Sequence, residues 1–151
     1  MKDILLKLIT NSTFLTVISG VLVYVVSQYF LEFVINPLKE YRVLKQRIIY
    51  LITMYSCYYT NPYNLLDTQR NIRDKGEYDE ASVLFRKMGS DLAGYVGMLP
   101  RYMWIRKKRL TDVLHELIGI SNGFYIVTDE YSPICDNRDC ERKIKELLKI
   151  K

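Results

Sequence analysis

The hydrophobic positions of this chain form one continuous block near its start and several periodic segments after it. Residues 13–35, TFLTVISGVLVYVVSQYFLEFVI, are 23 residues with a single charged side chain, Glu32. At about 1.5 Å per residue they form a helix of about 34 Å, and the hydrocarbon core of a bilayer is about 30 Å thick. A helix buried in a soluble core rarely stays apolar on every face for this length. The block therefore predicts a transmembrane helix.

After Asn36-Pro37, which predicts a break or kink, apolar residues recur at helical spacing. Helices are predicted over about Leu38–Thr60, about Tyr78–Leu99, from near Thr111 towards Tyr125, and over about Arg138–Ile150. Gly76 reads as a turn before the second of these. No segment alternates strictly enough to predict a strand. The predicted fold class is all-α, with an N-terminal transmembrane anchor (residues 1–36) followed by a cytosolic bundle of about four helices (residues 37–151).

Within the apolar block, small and polar residues fall on one side. At about 100° per residue they occupy an arc of about 120°, which we call the polar stripe: Thr13, Thr16, Gly20, Tyr24, Ser27 and Gln28. Glu32 flanks the arc, and Val17 and Leu31 also fall inside it. Lipid cannot hydrogen-bond the amide of Gln28, and such a face usually meets another helix or a water-filled cavity.

The polar stripe therefore predicts a homo-oligomer. Its contact or lumen face would include Thr16, Gly20, Ser27, Gln28 and Glu32. The alternative is that Ser and Thr hydroxyls bond to their own helix backbone, and that Glu32 reaches the headgroups from a single helix.

Flanking charges predict the orientation of the span. Lys2 and Lys7 precede it, and Lys39, Arg42, Lys45 and Arg47 follow it. The side with more Lys and Arg stays in the cytoplasm, so we expect the N-terminus outside and the C-terminal domain inside. A cleaved signal peptide would have a shorter apolar region followed by small residues. The exit sequence here, FLEFVINPLKEYR, is bulky and then charged, which favours an uncleaved signal anchor.

The formal net charge of +5 is concentrated in one segment, PRYMWIRKKR at residues 100–109, which we call the basic run. It interleaves aromatic residues with cations: Arg101, Trp104, Arg106, Lys107, Lys108 and Arg109. Such a segment binds an anionic membrane surface, stacks on single-stranded RNA, or is a plain solvated connection. With an anchor in the same chain, the sequence favours lipid over RNA as its partner.

The sequence contains little that predicts an enzyme. The three cysteines form no C-x-x-C pair, and His115 is the single histidine, so we expect no metal site. There is no P-loop, dinucleotide-binding glycine pattern or nucleophile elbow, and no cofactor is expected.

Arg109-Leu-Thr-Asp-Val-Leu-His115 has the spacing R-x5-H, which resembles the degenerate R-x4-6-H signature of HEPN domains. These are small helical bundles, often RNases, in which two copies of the motif meet across a dimer. The resemblance implies that Arg109 would hold phosphate and His115 would act as acid or base. Leu110 departs from the polar residue that the family usually has after its arginine, so catalysis is not the leading expectation.

Three further segments, VINPLKEYRVLKQRIIYLITMYSCYYTNP, ELIGISN and ERKIKELLKI, resemble small bacterial single-pass membrane proteins over most of residues 13–150. The order of parts is similar to the membrane accessory protein of type VI-B CRISPR systems, which has an N-terminal span, a HEPN-like bundle and a membrane pore. The resemblance implies an oligomeric, non-enzymatic effector that perturbs or permeabilises the membrane in antiviral defence. Two alternatives are a membrane-tethered HEPN-type RNase or RNA-binding protein, and a non-catalytic anchored scaffold with a protein partner.

Overall fold

The structure is a computed structural model that describes residues 12–67, 69, 71, 73–127 and 133–150. Apart from one pair of two-residue strands, the regular elements of the described residues are helical, which confirms the predicted all-α class. By its internal contacts the chain divides into two compact units, Met1–Glu40 and Tyr41–Lys151. The first eleven residues of the predicted anchor lie outside the described residues.

Every described residue of the first unit is helical. Helix α1 covers Ser12–Phe30, a π-helical turn covers Leu31–Ile35, and α2 covers Asn36–Met54. The helix is continuous from Ser12 to Met54, so the chain does not break at Asn36-Pro37, and Pro37 lies in the first turn of α2. Proline has no N–H and clashes with the carbonyl one turn earlier. The backbone departs from α geometry in that earlier turn, where the N–H of Asn36 donates to the carbonyl of Leu31 instead.

In the second unit, α2 is followed by α3 (Ser56–Thr60), β1 (Tyr63–Asn64), α4 (Lys75–Met98), a 3-10 turn (Arg101–Met103), α5 (Trp104–Asn122), β2 (Tyr125–Ile126) and α6 (Ile134–Leu148). Helix α4 packs along α5, α5 packs along α6, and α3 contacts α6. Helix α2 adds Leu44, Ile48, Leu51 and Ile52 to the core. These long helices agree with the predicted bundle of about four.

The helices begin earlier than their hydrophobic periodicity predicts. The Asp74 carboxylate caps α4 by accepting from the N–H of Gly76 at 3.2 Å, so Gly76 lies in the first helical turn and is not the predicted turn residue. Helix α5 begins at Trp104, whereas the prediction placed its start near Thr111. Most of the basic run is therefore helical, which the apolar pattern missed because its exposed side chains are cations.

Aromatic side chains fill the centre of the second unit. Tyr59, Phe85 and Phe124 are fully buried and meet edge to face, with ring centroids 6.0 Å and 5.4 Å apart. Beside them β1 and β2 pair in parallel, with Tyr63 opposite Tyr125 and the N–H of Tyr63 donating to the carbonyl of Phe124 at 2.8 Å. Strands of two residues are too short to produce an alternating pattern, which is why the sequence did not predict them.

Two buried polar contacts lock the helices together. Ser82 on α4 and Ser121 on α5 bond reciprocally, and the Ser121 hydroxyl donates to the carbonyl of Ser82 at 3.0 Å. On α6, the Asn137 amide is 1% exposed and donates to the carbonyls of Tyr59 at 2.8 Å and Gly123 at 2.7 Å. A Cβ at Gly123 would lie 2.0 Å from the Asn137 side-chain oxygen, so only glycine fits this close approach.

Candidate membrane segment and basic patch

The apolar segment at the start of the described chain is not covered by protein. No residue of α1 or of the π-helical turn is buried. Among the described residues, the helix Ser12–Met54 is long and apolar enough to cross a membrane by length and composition, and none of its most apolar 18-residue stretch is buried within the chain. A core helix of a soluble protein would be mostly buried.

The hydroxyls on this segment bond to their own helix. Thr16 donates to the carbonyl of Ser12 at 2.8 Å, Ser19 to that of Thr16 at 2.9 Å, and Ser27 to that of Val23 at 2.7 Å. This is the alternative arrangement, in which Ser and Thr hydroxyls bond to the backbone of their own helix. Thr16 and Ser27 therefore need no second helix to satisfy their hydrogen bonds. They support self-association less strongly than the sequence suggested.

Gln28 differs from its hydroxyl neighbours. Its side chain is exposed and makes no hydrogen bond to any residue that the structure describes. Gly20 also lies open, since a Cβ built on it would meet nothing within 4 Å. No contact within the described chain therefore explains why position 28 has a long amide side chain or why position 20 has no side chain.

Glu32 is placed by the π-helical turn and not by an α-helical step. The wider turn at Leu31–Ile35 changes the angular phase, so the arc of the polar stripe holds for α1 and stops before Glu32. The carboxylate is exposed and has no ion-pair partner among the described residues. In the same region the rings of Tyr29 and Phe33 stack with centroids 5.7 Å apart.

The basic run divides between outward and inward side chains. Arg101, Trp104, Lys107 and Lys108 are exposed, whereas Arg106 and Arg109 are partly buried. The Arg106 guanidinium lies 5.2 Å from the ring centroid of Tyr41 on α2, a cation–π contact inside the second unit. Arg106 therefore holds α5 to α2, and the remaining cations form the surface that a ligand could reach.

Arg109 and His115 are not brought together within one chain. They lie six residues apart on α5, which places them about 120° apart around the helix axis and about 9 Å apart along it. Arg109 lines a groove of about 450 Å³ with Asp112, Glu116, Lys143, Glu146, Leu147 and Lys149, and His115 is not among its lining residues. The imidazole is exposed and has no hydrogen bond to a described residue.

A second cavity, of about 500 Å³, lies between α5 and α6 near Cys140. Burial and the neighbouring Glu116 carboxylate raise the pKa of the Cys140 thiol to about 12, so the thiol is neutral near pH 7. The Lys143 ammonium ion-pairs with Glu116 at 3.2 Å. Among the described residues, no group of His, Cys, Asp and Glu side chains has the arrangement to hold a metal ion.

Comparison with known proteins returns no relative: no family model matches the sequence, no curated protein matches it, and no solved structure matches the fold. These comparisons give no link to HEPN domains or to a CRISPR accessory protein, and that resemblance stays an expectation from the sequence.

Proposed function

We propose that this chain is a single-span membrane protein that self-associates through the polar stripe and permeabilises the bilayer. The observation that carries the proposal is Gln28, an exposed amide on an apolar helix that makes no hydrogen bond to any described residue. In hydrocarbon, an amide without a hydrogen-bond partner is unfavourable by several kcal/mol, which is the order of magnitude of the cost of burying a polar group. Neighbouring copies of the same helix supply the donors and acceptors that lipid lacks.

The approach of a second helix is supported by Gly20. It follows Thr16 at a spacing of four, the small-xxx-small arrangement with which membrane helices bring their backbones together. Because the Thr16 hydroxyl is already bonded to Ser12, its role here is its small size. Glycine at position 20 leaves a shallow surface within the polar stripe, about two turns before Gln28.

The polar stripe also supports the proposed permeabilisation. If Gln28 lies towards the centre of the assembly, a ring of amides replaces lipid there and offers water and ions a polar path. The flanking charges favour an N-out topology with the helical domain in the cytoplasm of a bacterium, and the resemblance implies antiviral defence as the setting. In this account the helical domain sets the oligomer number or receives the signal.

Dye release from vesicles tests this proposal with matched variants. Gln28→Leu removes the amide and should reduce leakage from vesicles containing the full chain. Ser27→Ala is the control, because that hydroxyl is bonded to Val23 and should contribute little. Unchanged leakage in Gln28→Leu, or an equal loss in Ser27→Ala, contradicts the proposal.

The alternative function, an RNase, predicts a different result. His115→Ala should abolish RNA cleavage if the R-x5-H spacing is catalytic. No contact of His115 in the described chain favours that role, so permeabilisation remains the leading proposal.

A further inference from the structure

The turn between α4 and α5 exposes several large apolar side chains at once. We define the turn patch as Met98, Arg101, Tyr102, Trp104, Ile105, Lys107 and Lys108. Its apolar members are 72%, 62%, 64% and 59% exposed for Met98, Tyr102, Trp104 and Ile105. Apolar side chains clustered in this way commonly mark a surface that binds a protein, a ligand or a membrane.

The turn patch is built on an ordered scaffold. Leu99 is buried, Met103 packs against the core, and the N–H of Met103 donates to the carbonyl of Pro100 at 3.0 Å. On α5, Trp104 and Lys108 lie on the side opposite to Val113, which is fully buried. The folded domain therefore holds the exposed side chains outward.

The chemistry of the turn patch fits an anionic bilayer surface. Residues 92–111 contain five Lys and Arg and no Asp or Glu. Trp and Tyr prefer the headgroup region, and each nearby cation contributes about 1 kcal/mol of attraction to anionic lipid. Met98 and Ile105 are aliphatic, and such side chains suit acyl chains but offer no stacking surface to RNA bases.

The start of α5 is joined to α2 through the contact of Arg106 with Tyr41. Tyr41, which contacts Arg106, follows Pro37 by four residues of helix α2, a distance of about 6 Å along the axis. Arg106 lies two residues after Trp104. The residues that begin α5 are therefore tied to the part of α2 that follows the proposed membrane segment.

We propose that the turn patch inserts into the headgroup region of an anionic leaflet and forms a second membrane contact. This inference rests on the proposed function, because a chain that spans the bilayer brings Tyr41 to its surface. The contact holds α4 and α5 against the membrane, and its cations make the contact dependent on lipid charge and on salt.

Trp104 reports directly on this contact, because it is the single tryptophan of the chain. The full chain is reconstituted in nanodiscs of phosphatidylcholine alone and in nanodiscs containing phosphatidylglycerol. In the anionic discs we expect blue-shifted emission and reduced quenching by acrylamide. Raising the salt concentration should reverse both effects. Trp104 that stays accessible to acrylamide in both kinds of disc overturns the inference.

Charge variants test whether Trp104 is shielded through attraction of the turn patch to anionic lipid or only because the domain lies near the membrane. Lys107→Gln with Lys108→Gln should shift the equilibrium away from the docked state by about 30-fold, from two cations at about 1 kcal/mol each. The control, Lys87→Gln with Arg138→Gln, removes two exposed cations elsewhere and should leave Trp104 shielded. Equal responses of the two variants, equal shielding in neutral discs, or shielding by single-stranded RNA in place of lipid each overturn the inference.

The same samples distinguish this failure from failure of the proposed function. Resistance of the chain to extraction by alkaline carbonate measures insertion of the span without involving the turn patch. A chain that resists extraction while Trp104 remains in water retains the proposed span and loses only the second contact.

Discussion

Replacing Asn137 with alanine removes a buried polar contact that ties α6 to the rest of the helical domain. The amide nitrogen donates one hydrogen to the carbonyl of Tyr59 at 2.8 Å and the other to that of Gly123 at 2.7 Å. The Tyr59 carbonyl lies at the C-terminal end of the short helix α3, where backbone acceptors lack helical partners. The N–H of Tyr63, which is four residues later, donates to Phe124 and leaves that carbonyl to Asn137.

The size of the effect follows from those two carbonyls. A buried polar group left without its partner costs about 1–3 kcal/mol, so two cost about 2–6 kcal/mol before relaxation. With partial relaxation and entry of water, we expect the free energy of unfolding to fall by about 3 kcal/mol. For a domain of this size that lowers the midpoint of thermal unfolding by roughly 10 °C or more.

The assay is unfolding of the full chain in mild detergent, followed by the near-ultraviolet circular dichroism of its buried tyrosines. Arg138→Ala is the control, because Arg138 is the next residue, is exposed, and has no hydrogen bond to a described residue. A loss below about 1 kcal/mol for Asn137→Ala, or an equal loss in the control, refutes the reasoning.

Asn137→Asp gives the same contact a pH dependence. Burial beside two carbonyl oxygens raises the pKa of the new carboxyl above its ordinary value of about 3.9. The variant is therefore closest to the original in stability below about pH 4. Its deficit should grow as the pH rises, because ionisation is then favoured in the unfolded chain.

Further predictions concern the span, Cys140 and His115. Gly20→Leu should leave the helix content unchanged, since nothing in the described chain meets a side chain there, but should weaken self-association measured by crosslinking in lipid; stronger association contradicts a contact at Gly20. Cys140 should react slowly with iodoacetamide at pH 8 in the folded chain and faster in urea, and equal rates in both states contradict the assigned environment. The contribution of its neutral thiol to the free energy of unfolding should be lost as the pH rises from about 9 towards 12. His115→Ala should leave dye release unchanged, and a large loss would contradict the permeabilisation account.

Much of the fold could be predicted from the sequence because helical periodicity is a local signal. The apolar block and the faces of α4 and α6 are visible in the spacing of single residues. The start of α5 was missed because its first turns carry exposed cations, which add nothing to an apolar periodicity. The contact of Arg106 with Tyr41 joins residues remote in sequence and could not be predicted from spacing. The continuation of the helix through Pro37 was missed because the π-helical turn that accommodates proline has no residue signature.

The candidate sites were predictable to different degrees. The basic run and Gln28 could be located from residue type alone, whereas the bonding of the Ser27 hydroxyl to Val23 required atomic positions. Asn137 lies in a polar stretch, CDNRDC, where nothing distinguishes a buried amide from a solvated one. Its role depends on the carbonyls of α3 and of the turn after α5, which only the tertiary structure brings to it.

The most direct test of the central claim is the protein mass of the detergent-solubilised full chain, measured by light scattering with the detergent contribution subtracted. One chain has a mass of 17.9 kDa. We predict a multiple of that mass for the original chain and for Ser27→Ala, with a shift towards one chain for Gln28→Leu. An interhelical hydrogen bond in a membrane contributes about 0.6–2 kcal/mol, so the association constant should fall by about 3- to 30-fold for each bond lost. A mass of one chain for the original protein, at concentrations where its vesicles leak dye, would contradict the account.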